Sequence, residues 1–189
     1  MPRAGLTPSA IVQIALGAVD EQGLAALTLT SIAQRAGVAT PALYKHMRSL
    51  ADLHQLIAAR VAGDLAAELT AAVVGLSGDA AVRSLAHAMR AYVSRFPQRY
   101  AAIVTSPAPG TPARQAADRL LDLFFAVLRG YGLEGSQAVH ATRALRAACH
   151  GFAVLQANGA FGRPENLDTS YELLVEMVVR GLPPVSRSN

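Results

Sequence analysis

The chain is poor in the residues that carry covalent or metal chemistry. Among its 189 residues there is one cysteine, Cys149, and no tryptophan. A single cysteine excludes a disulfide within the chain and fits a reducing, cytoplasmic setting. Charged residues make up 16% against 52% apolar ones, and that apolar share is ample for a buried core. Lysine is the scarcest of the charged residues: Lys45 is the only one. The heavy use of arginine in its place is what codon bias in a GC-rich genome produces. No stretch approaches the roughly 18 uninterrupted apolar residues of a membrane span. Ala10 to Val19 is a weak signal-peptide core at best, because Gln13 interrupts it. Ile11, Ile14, Ala15, Ala18 and Val19 instead keep the spacing of an amphipathic first helix.

Strand-like alternation, internal repeats, low-complexity tracts, metal-ligand spacings, phosphate loops and nucleophile elbows are all missing. No cofactor or metal is expected. His87, His140 and His150 could supply acid–base groups and Cys149 a nucleophile. However, Cys149 and His150 are neighbours on a helix and diverge by about 100°, so they form no dyad. An enzyme is not the expectation. The net charge of +4 and the pI near 9.7 suit a polyanionic partner without establishing one. Residues 1–50 hold four Arg or Lys against two acids, so positive charge is denser at the N-terminus.

What the chain does have is concentrated between Thr28 and Met47. Thr30 is placed to cap a helix start, with Ile32, Ala33 and Ala36 at helical spacing behind it. Gly37 follows where a helix end favours positive φ. Thr40 is placed to cap a second helix, with Pro41 at its first position, where a missing N–H costs nothing. That helix carries Ala42, Leu43, Tyr44, Lys45 and His46. Leu43 and Met47 point inward, which leaves Tyr44, Lys45 and His46 between them largely outward. Two short helices with this turn chemistry form a helix-turn-helix, whose second helix enters the DNA major groove.

The remainder reads as helices. A fourth runs from Ser49, with Asp52 as capping partner, to Val73. A fifth runs from Asp79 to Arg95 and a sixth from Gln98 to Val104. After the loop Ser106–Pro112, a seventh opened by Thr111-Pro112 extends to Gly130. An eighth spans Ser136–Asn158, and a ninth, capped by Asp168, reaches Arg180 before a loose polar tail, Pro183–Asn189. The expected class is all-α with about nine helices. Residues 1–48 form the three-helix helix-turn-helix domain, and 49–189 form a helical ligand-binding and dimerisation domain joined to it by the fourth helix.

The run from Thr28 to Tyr44, with Ala36-Gly37-Val38 at the turn and Leu43, Tyr44 and His46 beyond it, resembles the DNA-binding domain of TetR-type transcriptional regulators. The likeness extends from Thr7 to Ser49. Two positions depart from the family pattern. Met47 stands where an aromatic is usual, and Arg48 is the nearest substitute for the usual phosphate-anchoring lysine. Arg146 to Gly162, around His150-Gly151, resembles the WHG-type C-terminal domain of some of these regulators.

The resemblance implies a homodimeric, ligand-responsive DNA-binding regulator, a repressor released from a pseudo-palindromic double-stranded operator by a small-molecule effector. Tyr44 and His46 would hold phosphates, with Thr30, Thr40 and Arg48 adding contacts there. Lys45 would read a base edge, and Thr40, Pro41 and Ala42 would lie against the groove. Dimerisation is assigned to Ala144, Ala147, Ala148 and Gly151 on the eighth helix and to Leu173, Leu174, Met177 and Val178 on the ninth. A pocket for an apolar or aromatic effector is assigned to Met89, Tyr92, Phe96, Tyr100, Phe124, Phe125, Phe152 and Gln156. Each of these pocket and interface residues also suits ordinary core packing. Activators and corepressor-dependent regulators would present the same sequence features. A binding module that no longer engages DNA is the other alternative, and the Tyr44-Lys45-His46 surface argues against it.

Overall fold

The computed structural model describes residues 6–183. The tail beyond them, expected to be loose, lies outside the described residues. Nine α-helices and three short 3-10 segments account for the regular structure, with no strand among the described residues. None of these helices is long and apolar enough to cross a membrane.

By packing, the chain forms two compact units. One comprises the chain up to Gly63 with Gln98–Asp118, and the other Asp64–Pro97 with Arg119 to the C-terminus. The first contains α1 (Pro8–Gln22), α2 (Leu29–Ala36), α3 (Thr40–Leu43), the start of α4 (Leu50–Val73), α6 (Pro97–Tyr100, from Gln98 onward) and the start of α7 (Pro112–Leu128). Its core includes Ile11, Ala15 and Val19 of α1, Ile32 of α2, Leu43 and Met47, and Leu53 and Ile57 of α4, all nearly or fully buried. Each of the larger side chains contributes about 1.5–3 kcal/mol by leaving water. Two bidentate ion pairs fasten α1: Arg35 of α2 to Glu21, and Arg99 to Asp20.

Local chemistry sets the ends of α2 and α3, and it corrects two expected caps. Thr28, not Thr30, caps α2: its hydroxyl accepts from Ser31 N at 3.1 Å, while the Ser31 hydroxyl accepts from Thr28 N at 3.3 Å. A reciprocal box needs a polar side chain three residues on. Thr30 has only Ala33 there, so it sits inside the first turn. α3 starts one residue earlier than expected, behind Ala39, with Thr40 as a helical residue and no side-chain cap. Tyr44, Lys45 and His46 follow it in a continuing turn, where His46 N and Met47 N both donate to the Leu43 carbonyl at 2.9 and 3.1 Å. The helical geometry therefore runs on for less than the sequence implies.

Between the two helices Gly37 is left-handed, φ 67° and ψ 32°. Gly37 N donates to Gln34 O and Val38 N to Ala33 O, which satisfies carbonyls that the end of α2 leaves open. At the start of α4, Ser49 Oγ accepts from Asp52 N at 3.1 Å, as expected for a capping pair.

The second unit is built on α5 (Gly78–Arg95), which packs against α8 (Gly135–Ala157) and α9 (Leu167–Arg180). Tyr171 is fully buried, and its hydroxyl donates to the Ala86 carbonyl at 2.7 Å. Arg90 lies over the Tyr171 ring at 4.7 Å, donates to Gln156 Oε1 and pairs with Asp168 at 2.8 Å. Asp168 is not the cap of α9, because the helix begins at Leu167 and Asp168 lies in its first turn. Asn166 does the capping, its Oδ1 accepting from Asp168 N and Thr169 N at 2.8 and 3.0 Å.

Two glycine substitutions should act in opposite directions. Gly37→Ala has room for its methyl but keeps positive φ, so a destabilisation of about 1–2 kcal/mol is expected. Gly63→Ala, on the exposed face of α4 with nothing within 4 Å, should add about 0.5–1 kcal/mol. Urea unfolding of both variants checks the signs.

Candidate nucleic-acid interface

All eight residues expected to meet DNA lie in the first unit, and seven of them fall between Thr40 and Arg48. Leu43 and Met47, at 0% and 4% exposure, anchor the segment and turn the residues between them outward. Tyr44 is 57% exposed. Lys45 and Pro41 are exposed, while Thr40, Ala42 and His46 are half-buried. Thr30 is exposed in the first turn of α2, where backbone N–H groups without helical partners collect.

Arg48 is held in a way not foreseen from sequence. Asp52 accepts from its backbone N–H at 3.0 Å and from two guanidinium nitrogens at 2.8 and 3.0 Å. The arginine hydrogen bonds hold the Asp52 carboxyl below the usual carboxylate range. The Arg48 side chain nevertheless remains 90% exposed. Arginine at i and aspartate at i+4 was the available signal. Lys45 forms no ion pair among the described residues, so its charge faces water.

The residues assigned to an effector pocket are all buried or half-buried. Met89, Tyr92 and Phe124 are buried at 2%, 1% and 2% exposure. Tyr92 and Phe96 meet edge-to-face at 5.4 Å, and Phe125 is half-buried. Phe152 packs on Phe161 and Tyr171, under Arg90, which also engages Gln156. Tyr100 belongs to the first unit and the other seven to the second. A cleft of about 200 Å³ lies within the second unit, and none of the eight lines it. Its walls are the end of α4, the start of α5 and the end of α7.

Of the residues assigned to a dimer face, Ala144 and Ala147 are exposed, and Ala148, Gly151, Leu174 and Val178 half-buried. Leu173 and Met177 stand out at 62% and 66% exposure.

Two family profiles match the chain. "Bacterial regulatory proteins, tetR family" covers residues 3–55, and "Tetracyclin repressor-like, C-terminal domain" covers residues 82–178. An uncharacterized HTH-type transcriptional regulator of Mycobacterium tuberculosis is 35% identical over 94% of this chain and 80% of its own length. The chain belongs to the TetR family. A second relative, the uncharacterized HTH-type regulator YobS of Bacillus subtilis, is 32% identical over 96% of this chain and 95% of its own. In fold, the chain is similar to a TetR variant from Acinetobacter baumannii solved with minocycline. That TM-score is 0.70 at 19% identity, covering 94% of this chain and 96% of the other.

As a TetR-family protein the chain is a DNA-binding transcriptional regulator rather than an enzyme. Cys149 is 1% exposed, and burial pushes its thiol up to about 11. His150 is pushed below its ordinary value by burial and by the Arg146 charge.

At pH 8 a thiol titrating near 11 is about one part in a thousand thiolate. Folded protein should therefore resist iodoacetamide for hours at pH 8, and urea should bring labelling within minutes. Rapid labelling of the folded chain, followed by mass spectrometry, would refute the burial of Cys149.

Proposed function

We propose that this TetR-family regulator is a homodimeric repressor that holds a pseudo-palindromic operator and releases it when a small apolar or aromatic effector binds. The observation that carries the DNA half is the outward Tyr44-Lys45-His46 surface, set between the buried anchors Leu43 and Met47. In this reading Tyr44 and His46 donate to phosphate oxygens, Thr30, Thr40 and Arg48 add backbone contacts, and Pro41 and Ala42 fit the groove wall. Such contacts fix register. Lys45, the chain's only lysine, donates to a guanine edge and supplies sequence preference.

The dimer half is supported by exposed Leu173 and Met177 beside the small residues Ala144, Ala147, Ala148 and Gly151. Small side chains let a second helix approach closely, and each large apolar one gains about 1.5–3 kcal/mol on burial. Leu174 and Val178 complete the face. Two recognition segments on a two-fold axis would then meet half-sites about one DNA turn (roughly 34–36 Å) apart, or somewhat more.

The similar TetR variant binds minocycline, which supports a small-molecule effector here. An effector that weakens operator binding must itself bind the operator complex less tightly, by the same factor.

Genomic fragments captured by the purified protein and sequenced test the reading directly. A palindromic motif enriched by the wild type and absent with Tyr44→Ala is the expected result. Tyr44→Ala should weaken binding to all duplexes at least ~10-fold, because a hydrogen bond to a charged oxygen is worth about 1.5–3 kcal/mol. Lys45→Ala should reorder sequence preference. Equal weakening on the captured motif and on a scrambled duplex would remove Lys45 from that role. The double variant Leu173→Glu, Met177→Glu should sediment as a folded monomer at micromolar concentration and bind the operator poorly. A wild-type protein that sediments as a monomer under the same conditions would overturn the dimer.

A further inference from the structure

We infer that the cleft at the C-terminal end of α4 binds a small, neutral, mainly apolar molecule the size of a substituted benzene. We also assign it as the place where the effector acts, and this second assignment rests on the function proposed above. The walls are mainly apolar: Val73 and Leu76 from the end of α4 and its following turn, Ala81 from α5, and Leu123, Ala126 and Val127 from α7, with Ser77, Gly78 and Gly130 completing the lining. No charged residue lines it, so an ion entering it would lose hydration without compensation. Its volume of about 200 Å³ suits one ring with a substituent, since an apolar cavity of about 150 Å³ takes benzene.

The floor and the mouth narrow the chemistry. At the floor Gly78 is buried with φ 53°, and a Cβ on Gly130 would lie 3.6 Å from Gly78 N. Two backbones meet there without side chains, which leaves the space open. At the mouth Ser77 holds the position that caps α5, yet its side chain makes no capping bond. Its exposed hydroxyl can donate to or accept from one polar group on the guest. The neighbouring Asp79 carboxylate accepts from the Tyr131 hydroxyl at 2.7 Å, and its charge disfavours an anionic guest. A phenol-like molecule meets these conditions, with its ring between Val73 and Val127 and its hydroxyl toward Ser77.

The location suits an effector. Val73 closes a helix of 24 residues, about 36 Å long, whose first turn is tied to Arg48 through Asp52. A guest lodged against the last turn of α4 acts on the same helix that follows the Tyr44-Lys45-His46 segment.

Methyl NMR of the full chain with phenol and toluene as probes tests the site. Saturable shifts at Val73, Leu123 and Val127 are expected, with Kd on the order of 0.1–1 mM. Phenol should bind about 3-fold tighter than toluene, and Ser77→Ala should erase that difference. Ala126→Trp, at an exposed rim position, should fill the cleft and weaken binding at least ~10-fold while leaving helicity and operator binding intact. Leu76→Trp serves as a second filling variant. Absent shifts, or shifts undiminished in both variants, would overturn the site.

The regulatory half is read separately, by screening neutral aromatic compounds for release of the captured operator. Release by the wild type that disappears in Ala126→Trp supports the assignment. Release that persists in the filled variant overturns the cleft while leaving the effector reading intact. No release by compounds that saturate the cleft overturns its regulatory role.

Discussion

The left-handed backbone at Gly37 is the constraint on which the DNA-facing surface depends. It ends α2, lets Val38 N return to Ala33 O, and sends the chain back across α2 within a few residues. Only then can α3 place Leu43 against the core formed by Ile11, Ala15 and Ile32. With Leu43 and Met47 fixed inward, the residues between them have nowhere to go but outward. The exposure of Tyr44 and Lys45 is therefore a consequence of the turn and the two anchors, not of any attraction of its own. A side chain at position 37 would have to adopt a conformation that L residues resist by about 1–2 kcal/mol.

The second unit depends on a different device. Its core is built of large apolar side chains, among them Leu69, Leu85, Met89, Phe124 and Val175, and a few well-satisfied polar contacts join its helices. Tyr171 fills the centre and closes its hydroxyl on Ala86 O, while Arg90 covers the ring face and joins α8 to α9 through Gln156 and Asp168. A guanidinium only 13% exposed is tolerable because a carboxylate, an amide and two aromatic faces replace its water. Several of the residues assigned to an effector pocket also take part in these contacts. Phe152 and Gln156 meet Arg90, and Tyr92 meets Phe96 edge-to-face.

Much of the architecture was legible in the amino-acid order. Helical spacing in α1, the proline at the opening of α7 and Gly37 all signal through neighbours within four residues, and such signals survive without knowledge of the rest. Caps were read less well for the same reason. Thr28 and Thr30 both carry the right hydroxyl, and the choice lay with Ser31 as reciprocal partner. Asp168 and Asn166 both carry an oxygen that can cap α9, and Asn166 does so because the helix begins at Leu167. The tie between Arg48 and Asp52 left a signal in its spacing but was not foreseen from sequence.

By itself the sequence determined that this chain is all-helical, that it carries a helix-turn-helix near its N-terminus, and which residues of that segment face out. These follow from φ preferences, capping chemistry and a period of 3.6, all of them local. The tertiary structure decided which apolar residues are core and which leave space between them. Val73, Leu123 and Val127 are ordinary helix residues in sequence, as are Met89 and Phe124. Only the packing of helices distant in sequence leaves a cleft beside the first set and closes around the second, because a void is a property of several surfaces together and of no segment alone.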